Sequence, residues 1–139
     1  MIVVDDSTLG SIGLEIVKAN TKNTAKADNG SIIFQSDIRL ELMLNEIEKG
    51  ISSPVDEEAV TRMEKQIEDK VKRMAFSAVK KCYENGSDPL MTAHYLAANE
   101  EADYRKYQDN WRSRLKDIDV RVRVYANIQR VNDNTAPKV

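Results

Sequence analysis

The apolar positions of the chain change period as it runs, and each change marks an element. Residues 1–11, with Asp5, Asp6, Ser7 and Gly10 among them, predict a flexible lead-in. From Ile12 to about Thr24, Ile12, Leu14 and Ile16 alternate with more polar neighbours, which predicts a strand. Asn29-Gly30 follows, the dipeptide that best tolerates the positive φ angles of a two-residue hairpin. Beyond it, Ile32, Phe34, Ile38, Leu40, Leu42 and Leu44 share one face and only Ser36 interrupts them. Gln35, Asp37, Arg39, Glu41 and Asn45 share the other, as in a sheet with one buried and one wet face. A strand of that length predicts a bend or bulge.

Gly50 and Ser52-Ser53-Pro54 end this alternation, and Ser53 or Asp56 then supplies a helix cap. Val60, Met63, Ile67, Val71, Met74, Ala75, Ala78 and Cys82 recur at steps of three and four, the stripe of an amphipathic helix. Glu58 with Arg62, Lys65 with Asp69, Glu68 with Lys72 and Asp69 with Arg73 are spaced as i,i+4 ion pairs, each contributing about 0.2–0.5 kcal/mol. Gly86 predicts a left-handed cap and Pro89 a stop. A second helical region runs from about Leu90 to Leu115, with a break near Asn99 or Asp109. Ile118, Val120, Val122, Val124, Ala126 and Ile128 then alternate with polar residues in a final strand, and residues 132–139 read as a frayed tail. The prediction is a single α+β domain over 12–131. It is a mainly antiparallel sheet in β-β-α-α-β order, covered on one face by the long helix and the second helical region, with the last strand beside the first.

Composition narrows the function. The 139 residues are 41% hydrophobic and 32% charged with net charge −2, a size and balance that suit one soluble domain. No apolar run is long enough to span a bilayer, and the first residues lack the basic and apolar regions of a signal peptide. Cys82 is the single cysteine, so an intrachain disulfide is impossible. It falls on the helix stripe near a C-terminus that disfavours a thiolate, and reads as a small apolar residue. His94 is the single histidine and has no ligand partner at useful spacing. The five glycines are scattered and form no phosphate loop. Asp28-Asn29-Gly30 lacks the carboxylate a calcium loop needs five residues before its glycine, since Ala25 stands there. Glu100, Glu101 and Asp103 read as a solvated helix face rather than acid–base machinery. No catalytic, cofactor or metal site is predicted. Arg112, Arg114, Lys116, Arg121 and Arg123 are the main basic concentration, but Asp109, Asp117 and Asp119 sit among them and weigh against nucleic acid. Such a face suits phospholipid headgroups or an acidic protein better.

The chain from Leu14 onward resembles the C-terminal domain of the Ger(x)C family, the C subunits of GerA-type nutrient receptors of bacterial spores. The residues that carry the resemblance come in order: the long alternating strand, the charged helix ending in Lys80-Lys81-Cys82-Tyr83, and Ser87-Asp88. Tyr104-Arg105-Lys106-Tyr107, then Trp111, and Leu115 through Val124 to Ile128-Gln129-Arg130 complete it. Pro89 to His94 contains no glycine where the family has an aromatic and glycine-rich turn, and Val131-Asn132 replaces the family's glycine after the last strand.

The resemblance implies a lipoprotein held by a lipidated N-terminal cysteine, outside this chain, on the outer face of the spore inner membrane. It implies membrane-embedded A and B subunits as partners, and a non-catalytic scaffold or docking domain rather than an enzyme. Arg121, Arg123, Tyr125 and Asn127, on the wet side of the last strand, are the predicted partner contacts, although an ordinary exposed strand face has the same pattern. The last strand is also a candidate edge for pairing with another chain. Two alternatives stay open: a stand-alone soluble protein that dimerises through its sheet, and a small-ligand module with a cavity lined by Phe34, Met63, Met74 and Trp111.

Overall fold

The computed structural model describes residues 2–7, 9–28, 30–47, 56–88, 92–99, 105 and 108–129. The Ser53-Pro54 helix start, Pro89, Glu100, Glu101, Asp103, the tyrosines at 104 and 107, and the tail from 132 lie outside them. The elements are β1 (Ile2–Asp6), β2 (Gly10–Asp28), β3 (Ser31–Ile47), α1 (Glu57–Glu84), α2 (Thr92–Asn99), α3 (Trp111–Arg114) and β4 (Asp119–Gln129). Short 3-10 turns, Gln108–Asn110 and Leu115–Asp117, flank α3.

The sheet order is β1-β2-β3-β4. β1 pairs antiparallel with the start of β2, Ile2 opposite Leu14 and Asp6 opposite Gly10. A two-residue turn joins β2 to β3, with Gly30 at φ 82°, and so short a connection permits only antiparallel strands. β3 and β4 rise together: Arg123 bonds Asp37, and Arg39, two residues on, lies over Tyr125, two residues on in β4. That pairing is parallel, and the long helical crossover between the strands makes it possible.

Two expectations are corrected here. Residues 2–6 form a strand where a flexible lead-in is predicted, because Val4 and Asp6 point inward and alternate with exposed Val3 and Asp5. The last strand lies beside β3 and not beside the first, since β1 takes the other side of β2.

The residue contacts gather into two compact units. One holds Met1–Asn20, Ile38–Val71 and Val124–Val139, the other Thr21–Asp37 and Lys72–Arg123. In the first unit α1 starts at the carboxylate of Asp56, which accepts the N–H of Ala59 at 2.8 Å. Val60, Met63 and Ile67 of α1 are buried there, as are Ile12, Leu14, Leu40 and Leu42 of the sheet. Each such side chain stabilises the fold by about 1.5–3 kcal/mol.

In the second unit Tyr83 packs edge-on to Phe34, ring centroids 6.4 Å apart, and its hydroxyl bonds that of Thr92. Burial pushes the Tyr83 phenol well above its usual range, and the bond to Thr92 opposes this only in part. Asp88 caps α2 by accepting the N–H groups of Thr92 and Ala93. α1 ends in a Schellman motif, with Gly86 N–H on the Tyr83 carbonyl and Ser87 N–H on that of Cys82. Gly86 sits at φ 74°, and a Cβ there would meet Arg112 Nε at 2.8 Å.

The buried line of α1 departs from the expected stripe beyond Val71. Val79 and Tyr83 are buried, while Ala78 is exposed and Met74 is 63% exposed. Ile12 and Leu14 are buried in the first unit, and Ala25 is buried in the second.

Candidate functional site

β4 is one edge of the sheet, and its free backbone is already engaged within the first unit. The N–H of Ala126 donates to Glu68 Oε2 and that of Ile128 to Glu64 Oε2, both at 3.0 Å. The spacings match: four residues of helix rise about 6.0 Å and two residues of strand about 6.6 Å. The other edge, β1, is met by the same helix with the opposite chemistry. Gln66 Nε2 donates to the Asp5 carbonyl at 2.9 Å and Lys70 Nζ to the Val3 carbonyl at 3.4 Å. Carboxylates thus answer the N–H groups of one edge, and an amide and an ammonium answer the carbonyls of the other.

Asp6 anchors this arrangement. Its buried carboxylate accepts Leu9 N–H at 3.0 Å and both Nε and Nη2 of Arg62, at 2.9 and 3.2 Å. The bond to Asp6 raises the Arg62 pKa above its ordinary value. Of the expected helix ion pairs, Lys65 with Asp69 forms at 3.2 Å, whereas Arg62 turns to Asp6 and Glu68 to the β4 backbone.

The outer side chains of β4 divide between the units. Arg121 and Arg123 belong to the second. Arg121 closes on Asp119 at 2.9 Å and Arg123 on Asp37 at 3.0 Å, and Asp37 also accepts from Gln35 at 3.1 Å. The Arg123 hydrogen bond holds the Asp37 carboxyl below its ordinary pKa, against a smaller opposing effect of desolvation. Tyr125 and Asn127 belong to the first unit. There the Arg39 guanidinium lies 4.9 Å from the Tyr125 ring centroid, within cation–π range. Both residues line a groove of about 220 Å³ with Lys18, Asn20, Arg39, Leu40, Glu41 and Ala126.

The predicted contacts are therefore all exposed, but they do not act alike. The two arginines are held by acids, while Tyr125 and Asn127 border open space. The missed residues are Arg39, Lys18 and Asn20, and on the edge Glu64 and Glu68. Their polar alternation marks a wet face, but nothing in it tells which strand lies across from which. Of the residues proposed to line a small-ligand cavity, Phe34 and Met63 are fully buried and Met74 is exposed. Among the described residues no three histidine, cysteine or acidic side chains form a metal-holding group. No helix there is long and apolar enough to cross a membrane.

No curated protein matches the chain. Among solved structures it is similar to the crystal structure of the GerBC protein, at 20% identity and TM-score 0.76 over 91% of this chain. That likeness establishes the fold, α+β with a four-stranded sheet, and the chain spans 39% of the GerBC length. The model of the family described as spore germination B3/GerAC like, C-terminal, matches residues 1–132. By that match over nearly its whole length, the chain belongs to the spore germination B3/GerAC-like C-terminal domain family.

Proposed function

We propose that the chain is a non-catalytic docking domain of the C subunit of a spore germinant receptor. In this reading the complete subunit is a lipoprotein on the outer face of the spore inner membrane, and its partners are the membrane-embedded A and B subunits. Family membership supports the assignment to germination. The observation that carries the docking role is the contrast on β4. Its backbone is engaged at Ala126 and Ile128, while Tyr125 and Asn127 remain open beside a groove. A partner then reaches β4 through side chains. Arg121 and Arg123 are further contacts in this reading, each already oriented by an acid.

The test is recovery of the A and B subunits from spore membranes with the full-length lipoprotein. Tyr125→Ala with Asn127→Ala and, separately, Arg121→Glu with Arg123→Glu are compared with wild type. Loss of the partners from a folded variant supports docking through the altered pair. Equal recovery by both variants removes the β4 face from the reading, and failure of the wild type removes the receptor role.

A second reading, a soluble dimer formed through the sheet, draws on β2. Its residues 15–22 are exposed throughout and include Ile16 and Val17, which are 43% and 46% exposed. A dimer in solution for wild type, lost on Val17→Lys, would favour it.

A further inference from the structure

The described strands carry three arginines, and they differ in one respect. Arg121 and Arg123 are each closed on a carboxylate, and Arg39 forms no ion pair among the described residues. Its guanidinium is instead laid against the Tyr125 ring. Stacking fixes the plane of a guanidinium while leaving its N–H donors, which lie in that plane, available to a second partner. Around it in the first unit stand Lys18, also without an ion pair among the described residues, and the amides of Asn20 and Asn127. Glu41 is the acid among the groove residues.

We propose that this groove receives an acidic side chain of a partner protein, with the carboxylate on Arg39 and the amides of Asn20 and Asn127 beside it. The proposal rests on the docking reading and gives it a chemistry. Charge favours a carboxylate: Lys18 and Arg39 against Glu41 leave one net positive charge, which matches a monoanion. A phosphate group carries about −1.5 to −2 at neutral pH and would meet Glu41. Size favours an inserted side chain: the groove of about 220 Å³ is below the ~300–1,000 Å³ of small-molecule pockets. The fork of an arginine also matches a carboxylate in two parallel hydrogen bonds, which a lysine cannot supply.

The test is an NMR titration of the isotope-labelled chain with acetyl-tetraglutamate-amide, and with acetyl-tetraglutamine-amide and inorganic phosphate in parallel. The expected result is a saturable shift of the Arg39 Nε–H and of the Asn20 and Asn127 side-chain amides with tetraglutamate only. Arg39→Gln should weaken it at least tenfold, Arg39→Lys nearly as much, and Tyr125→Leu several-fold. Lys26→Gln, an exposed cation outside the groove, should leave it unchanged. No saturable shift, equal binding of phosphate, or equal loss in Arg39→Gln and Lys26→Gln would overturn the proposal, the last by reducing it to a diffuse positive field. The membrane recovery experiment fails independently. Partners recovered without tetraglutamate binding would retire the carboxylate receptor and keep the docking domain, and the reverse would keep the groove and retire the receptor role.

Discussion

The backbone edge and the outer face of β4 lie one residue apart and have opposite fates. At Ala126 and Ile128 the edge is engaged by two carboxylates from α1. At Tyr125 and Asn127 the face borders a groove with an arginine that no acid among the described residues engages. An unprotected edge strand offers itself to any other strand, which is why proteins blunt such edges. A polar face offers only what its particular side chains can match. The contrast teaches that the indiscriminate surface is closed and the selective one stays open, as the proposed docking role requires.

Removing the closure is the largest way to break this contrast. Glu64→Ala with Glu68→Ala leaves the N–H groups of Ala126 and Ile128 without their acceptors. With each charge-assisted bond contributing about 1.5 kcal/mol, the pair should lose roughly 3 kcal/mol, read by denaturant unfolding. Amide exchange at 126 and 128 should speed up, and the variant should associate at concentrations where wild type does not.

The isosteric Glu64→Gln with Glu68→Gln sharpens the same point. Glutamine keeps an acceptor oxygen and loses the charge, so about half of that loss is expected, with the edge still protected and the chain still monodisperse. A loss equal to that of the alanine pair would mean that the charge, and not the hydrogen bond, closes the edge.

A smaller effect separates the two kinds of arginine. Asp37 has a lowered pKa in the folded chain, so it contributes stability above its unfolded value near 4, and that contribution fades as pH falls through the folded value. Asp37→Asn should remove this acid-side dependence. At neutral pH its cost should stay under about 1 kcal/mol, because the pair is partly exposed. Arg39→Gln should leave the pH profile unchanged, since Arg39 pairs with no acid among the described residues. The smallest expected effect on stability is that of Tyr125→Ala with Asn127→Ala, within about 1 kcal/mol for the pair.

Much of this is legible from residue types alone. The valine alternation of β4 gives its inward and outward faces, Ser53 or Asp56 brackets the start of α1, and Gly86 gives its end. What is not legible depends on partners distant in sequence. Asp5-Asp6 reads as loop chemistry until Arg62 and Leu9 are seen to satisfy a buried Asp6. Glu68 reads as half of a helix ion pair with Lys72, because an i,i+4 partner is visible in sequence and a strand edge 58 residues away is not. Arg39 and Arg123 look equivalent as exposed strand arginines. Only the register of β3 against β4 tells which of them meets an acid and which an aromatic ring.

The most direct test of the proposed docking role carries the Tyr125→Ala, Asn127→Ala pair into the full-length protein and asks whether the proposed A and B subunits are recovered with it from spore membranes, with amide exchange at 126 and 128 measured on the variant chain. The expected result is loss of the A and B subunits while both amides stay as protected as in wild type, placing recognition on the face and not on the edge. Undiminished recovery of both subunits by that variant would contradict it.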